Sequence, residues 1–290
     1  MSNTGEFNYN SAQVEVRRRF SQGLQLQANY TFSKNLTKSQ RAQTNATGDT
    51  QNRFDPLLDN ANPGLEYSRA LSDQTHKFNL NAVYELPFGK RRAFFNQGGI
   101  VNAILGGFTM SGIVQIGSGA PITFTDARGT LNHVGRSNRQ TALTNLTKEE
   151  LKSLVGIYRT PNGIFFIDPA ALGRNADGTL QTGRTGRGAD GFGQPLFTGQ
   201  VFFNNLPGTT SGLERAVVSG PTTYNLDLSL IKRFTFGERY SFQVQADAFN
   251  VLNRTNFALA QFQDINSVNF ERITTALPAR VIQFSGRFNF

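Results

Sequence analysis

The sequence predicts an all-β protein: an antiparallel transmembrane β-barrel, present in part, as about 7 to 8 strands of a larger barrel. Three observations predict it. Apolar and polar residues alternate over long stretches. Those stretches exceed the five or so residues usual for strands of globular proteins. The connections between them alternate between short and long.

Each element can be justified in order. Residues 12–20 place Ala12, Val14, Val16, Arg18 and Phe20 on one face, with Gln13, Glu15, Arg17 and Arg19 opposite. Residues 24–32 oppose Leu24, Leu26, Ala28, Tyr30 and Phe32 to Gln25, Gln27, Asn29 and Thr31. Between 78 and 88 the apolar face is Phe78, Leu80, Ala82, Tyr84, Leu86 and Phe88; between 108 and 116 it is Phe108, Met110, Gly112, Val114 and Ile116. Tyr224, Leu226, Leu228 and Leu230 follow, then Tyr240, Phe242, Val244, Ala246 and Ala248. Ile282, Phe284, Gly286, Phe288 and Phe290 close the chain, giving seven strands.

Each strand spans about 9 to 11 residues, the length a tilted strand needs to cross a bilayer. The faces opposite are rich in Gln, Asn, Ser and Thr, which suit a wet lumen. Aromatic residues (Phe20, Phe88, Tyr224, Phe234, Tyr240, Phe290) sit at the ends of the apolar faces, as interfacial girdles require. Arg18 and Lys232 fall on the apolar register near strand ends, where long side chains reach headgroups.

The connections give an independent clue. Ser21–Gly23 and 235–239 are short and 89–107 is intermediate, whereas 35–75, 119–222 and 251–279 are long. Outer-membrane barrels have short periplasmic turns and long extracellular loops. The three long segments are therefore expected to be extracellular, and the last strand to run inward to Phe290. An odd strand number leaves two explanations: upstream strands are missing, or residues 3–9 supply one more.

Composition narrows the function. The chain of 290 residues has no cysteine and two histidines, His76 and His133, which excludes thiol chemistry and leaves almost nothing for a His-based metal cage. The opening MSNTGEFNYN has neither the basic start nor the apolar core of a signal peptide, which points to the cytoplasm or to a fragment, and the strand pattern favours the fragment. Net charge is +9, but the clusters Arg17–Arg19 and Lys90–Arg92 lie apart at strand ends and in loops, so no continuous nucleic-acid face forms.

Residues 93–125 carry no charge, yet their glycines and amides and the alternation of the second half speak against a spanning helix. Ile100–Leu105 is expected as a short helix at the membrane surface. Thr147-Lys148-Glu149-Glu150 is a capping box, and Leu151, Leu154, Val155 and Tyr158 follow at helical spacing. That predicts one short amphipathic helix in the longest loop, either in a loop subdomain that touches ligand or closes the barrel mouth, or merely ordering the loop. The Gly183–Gly188 stretch with Arg184 and Arg187 lacks a phosphate-loop ending, and Asp126, Asp168, Asp177 and Asp190 do not match a calcium loop. No catalytic constellation appears, so the chain is expected to be no enzyme and to need no cofactor or metal. Asp227 and Asp247 both fall on the lumen face, and a turn at 235–239 sets them roughly opposite each other. Like charges so placed repel, so a cation is expected beside them, with Arg233 or Arg287 as the candidates.

Several runs resemble one family. Leu71-Ser72-Asp73, His76-Lys77-Phe78, Val83-Tyr84-Glu85-Leu86-Pro87-Phe88-Gly89, Asn225–Leu230 and Ala248–Asn253 with Asn256-Phe257 are similar to the C-terminal barrel region of Oar-like TonB-dependent receptors. The ending, with Phe284, Phe288 and Phe290, resembles the terminal strand signal read by the barrel assembly machinery. The resemblance implies a bacterial outer-membrane barrel of about 22 strands with a plugged lumen, of which this chain is the C-terminal part over 1–290. It implies import of a bulky, unidentified nutrient, with outer-membrane lipid, the assembly machinery and TonB as partners. The plug and the TonB-binding segment are not in this sequence, so the chain is not expected to transport alone. The alternative is a small stand-alone barrel with a structural or adhesive role.

Overall fold

Seven long strands carry the alternation. The computed structural model describes residues 6–38, 62–96, 98–126, 140–181, 199–209, 212–236 and 239–290. The strands are β1 (Phe7–Ser21), β2 (Leu24–Thr37), β3 (His76–Glu85), β4 (Phe108–Gly117), β5 (Thr223–Phe236), β6 (Tyr240–Phe249) and β7 (Val281–Asn289). They form one antiparallel sheet in chain order, open at β1 and β7. Residues Phe7–Tyr9 do not make an extra strand: they lengthen β1 and pair with Asn35–Thr37. The eighth member of the sheet is instead the two-residue strand Ser68–Arg69, which pairs with the far end of β2.

The register joins every apolar stripe to the next. Val14 faces Tyr30, Tyr30 faces Phe78, Phe78 faces Ile116, and Ile116 faces Tyr224. Farther along the strands, Leu230 faces Ala246 and Ala246 faces Phe284. A slip of one residue at any pair would turn that strand's stripe to the other face. The β1–β2 hairpin closes through Gln22 and Gly23, both at positive φ (52° and 81°), the geometry of a type I′ turn whose twist matches its strands.

The burial pattern is inverted relative to a soluble protein. The stripe residues are exposed: Val14 at 61%, Leu230 at 41% and Phe284 at 76%. The buried apolar core lies instead in the long connections, built from Ile122, Phe124, Leu151, Ile167, Phe202, Ile265 and Phe270. Phe124, Phe202 and Phe270 meet ring to ring at 5.0, 5.2 and 6.0 Å between centroids. The connections, expected as long loops with one short helix in the longest, thus make a folded cap with its own core.

Short strands frame that cap. Pro121–Asp126 pairs with Val218–Ser219 and, in parallel, with Phe262–Asp264. Val155–Thr160 and Gly163–Ile167 form a hairpin that Arg272–Ile273 joins. The predicted capping box is present: Thr147 and Glu150 exchange hydrogen bonds, and those from Thr147 hold the Glu150 carboxyl below its ordinary value. The helix it starts, however, ends at Ser153. Val155 and Tyr158 belong to the hairpin strand, because β-branched and aromatic residues there precede the Pro161-Asn162-Gly163 turn. The helix expected near Ile100–Leu105 spans Gly99–Leu105. We call these helices α1 (Gly99–Leu105) and α2 (Lys148–Ser153).

Candidate functional site: the polar wall and its roofed cleft

The face opposite the apolar stripes is a wall of amides and hydroxyls. Asn29, Asn79, Gln115 and Asn225 form one cross-strand row, and Gln27, Asn81, Ile113 and Asp227 form the next. Alternation alone places them together, since each is one residue out of step with the apolar stripe.

Near the end of β5 toward the cap, this wall acquires a roof. Asn250, just past β6, donates its backbone N–H to Asp227 Oδ1 at 2.8 Å. Its side chain donates to the Arg254 carbonyl at 2.9 Å and accepts from the Arg254 N–H at 3.0 Å. Asn256 stands in for a strand neighbour: its amide accepts from the Tyr224 N–H at 2.9 Å and donates to the Tyr224 carbonyl at 2.8 Å. Gln115, Asn225 and Asp227 from the wall, with Asn250, Asn256, Leu277 and Pro278 from the roof, line a cleft of about 510 Å³. Phe249, Leu277, Pro278, Ala279 and Val281 make most of its open surface apolar, with a few neutral amides and Asp227 set among them, so it suits a ligand with an apolar body and a few hydrogen-bonding groups.

A second cleft of about 630 Å³ lies between the cap hairpin and the approach to β5. Arg159 sits over the Phe257 ring and Arg254 over the Tyr224 ring, at 5.4 and 5.5 Å to the centroids. Both arginines line it together with Ser219 and Thr222. Among the described residues no three His, Cys, Asp or Glu side chains gather as a metal site would require. His76 accepts or donates at Nδ1 to the Tyr30 hydroxyl at 2.8 Å and packs on Phe32. His133, Arg184, Arg187 and Asp190 lie outside the described residues.

The four charges expected to cluster on the lumen face are not brought together. β5 continues to Phe236, which pairs with Tyr240, so the turn is shorter than 235–239 and the register moves by two residues. Asp247 therefore faces Ser229 and Gln283, not Asp227. Arg233 and Arg287 both face Gln243, four residues along β6 from Asp247, or about 13 Å at strand rise. Amides satisfy the acids instead: Gln245 donates to both Asp247 oxygens at 2.8 and 2.9 Å, and Asp227 takes the Asn250 N–H. Among the described residues no ion pair joins the four.

Phe284 and Phe288 stand on the apolar face of β7, opposite Ala246 and Phe242. Phe290 follows the strand, its ring 6.4 Å from Phe288. Lys232, also on the apolar face, does not reach outward. It is buried, donates to the Gly106 carbonyl, and lies over the Phe108 and Phe234 rings at 4.7 and 5.0 Å.

Sequence reasoning missed the Asn250–Asn256 roof, because it lies in a non-periodic connection. The Ala-Phe-Asn-Val-Leu-Asn run was visible, but not that Asn250 folds back onto Asp227. No curated protein matches the chain by sequence. A family model described as an outer membrane beta barrel domain matches residues 1–283. Its agreement with long antiparallel strands, an exposed apolar face and a core displaced into the connections is complete enough to conclude that the chain belongs to this family, as a β-barrel protein of the outer membrane.

Proposed function

We propose that the chain forms the C-terminal wall of a TonB-dependent receptor that imports a bulky nutrient. The carrying observation is the open sheet. Seven strands pair in chain order from β1 to β7, and among the described residues neither outer edge has a partner. Each backbone group left unpaired in lipid costs several kcal/mol, which supports a barrel completed by further strands. A barrel of transporter size needs about fifteen more, together with a plug and a TonB-binding segment. The three long connections then form the outer mouth, and the polar wall with its roofed cleft lines the ligand path. Phe284, Phe288 and Phe290 present the terminal signal to the barrel assembly machinery. The role is binding and passage, not catalysis.

Reading the coding DNA upstream of residue 1 tests this directly. A plug domain and about fifteen further strands in frame are expected. A stop codon with a signal sequence there would overturn it. That outcome would favour a second reading, a small barrel that displays its connections in a structural or adhesive role, for which the folded cap is the supporting feature.

A further inference from the structure

The β3–β4 connection is built too firmly, and exposes too much apolar surface, for a plain turn. Asn102 in α1 anchors it: its Oδ1 accepts the Lys90 N–H at 2.7 Å, and its carbonyl accepts the Gly106 N–H at 2.9 Å. Gly89 and Gly106 pack so close that a Cβ on either would clash with Asn102 Oδ1. Such contacts hold α1 in one position.

That position is on the lipid-facing side of the wall. Lys232, from the apolar stripe of β5, reaches the carbonyl of Gly106 at the end of α1. Phe88, three residues past the end of β3, packs on Phe94 and Phe95 at 6.1 and 5.9 Å. Yet the outer surface of the connection is bare. Ile100 is 78% exposed and Ile104 61%, with Phe94 and Phe95 also exposed. Beside them stand Lys90 and Arg91, both exposed, and neither side chain has a carboxylate partner among the described residues.

An apolar ridge continuous with the lipid-facing belt and flanked by unpaired cations matches one occupant, a leaflet carrying anionic phospholipid. We propose that the β3–β4 connection is a lipid-binding foot. Ile100 and Ile104 enter the interface, and Lys90 and Arg91 hold the phosphate of an anionic headgroup. The inference requires the outer-membrane location alone and is independent of nutrient import.

The test uses the protein extracted in detergent from the outer membranes that assembled it and exposed to phosphatidylglycerol and phosphatidylcholine at equal mole fractions, with retained lipid counted by native mass spectrometry. Wild type should retain phosphatidylglycerol preferentially. Lys90→Gln with Arg91→Gln should lower that preference by about 25-fold, roughly fivefold for each cation removed near an anionic surface. Lys90→Arg with Arg91→Lys should keep it. Far-UV circular dichroism confirms that each variant has folded. The chain contains no tryptophan, so Ile104→Trp supplies a single reporter whose emission should be quenched by brominated phosphatidylglycerol in vesicles. Absence of a phosphatidylglycerol preference in wild type, its survival in the double glutamine variant, or an unquenched Trp in folded protein would each overturn the proposal.

Discussion

Arg215 and Glu66, 149 residues apart, form a bidentate ion pair inside the cap, with Nε to Oε2 at 3.0 Å and Nη2 donating to Oε1 at 3.3 Å. Both side chains are almost fully buried. Burial lowers the Arg215 pKa, and the Glu66 carboxylate acts against that. The pair ties the connection before β3 to the one before β5. Arg69 reinforces the tie by donating to the Ser219 hydroxyl at 2.9 Å and pairing with Asp73 at 2.8 Å. Gln261 adds the third connection through the Leu71 carbonyl at 2.6 Å.

Removing one partner of a buried pair strands the other in a poor medium. Arg215→Met or Glu66→Gln should therefore destabilise the cap by about 3–5 kcal/mol. Replacing both, as Glu66→Leu with Arg215→Met, should recover much of the loss. Hydrogen exchange over residues 62–75 and 212–222 measures this; equal protection in wild type and single variants would refute it.

Glu271 is fully buried, and neither carboxylate oxygen has a hydrogen-bond partner among the described residues. Burial pushes its pKa from the ordinary 4.5 up to about 8. Between these values the folded cap holds a proton that the unfolded segment releases. Cap stability should therefore be greatest below pH 4.5, fall as pH rises toward 8, and level off above. Glu271→Gln should remove that slope. Exchange protection of the cap followed from pH 4 to pH 9, roughly the span of this titration, distinguishes the two.

Phe124 is fully buried at the centre of the three-ring cluster. Phe124→Ala should cost about 3–5 kcal/mol of cap stability. The strands should keep their protection, because their apolar face packs on lipid. Loss of protection across β4 and β5 as well would mean that cap and wall fold as one unit.

The β5–β6 register can be read chemically, since the chain has no native cysteine. Ser229→Cys with Asp247→Cys should cross-link readily under mild oxidation. Asp227→Cys with Asp247→Cys should do so far more slowly, being offset by two residues. The reverse order would restore the alignment of the two acids.

In the protein as the cell assembles it, Phe290→Asp or deletion of Phe290 should impair membrane assembly. The ring ends an aromatic stack with Phe288 and Tyr240. Unchanged assembly, measured by the folded fraction recovered in outer membranes, would remove the terminal signal from Phe284, Phe288 and Phe290.

The wall was legible in the sequence because its physics is local. A side-chain period of two, held for nine residues, identifies both the strand and its lipid face, as for Tyr240 to Ala248. What was misread depended on where a turn closes. Two residues at Phe236 were enough to move Asp247 from Asp227 to Ser229. The cap was invisible for a different reason. Phe124, Phe202 and Phe270 come from strands or turns of a few residues each, with no periodicity to announce that they share a core. The capping box at Thr147 was readable, but the end of α2 was decided by the hairpin that follows.

The composition of the cap core sets a delivery order. Its buried residues run from Ile122 to Ile273, so the last of them arrives only with the segment between β6 and β7. Five strands of wall precede that arrival in the chain and a sixth, β6, immediately leads into it. The core can therefore close only when the connection between β4 and β5 and the one between β6 and β7 lie on the same side of the wall.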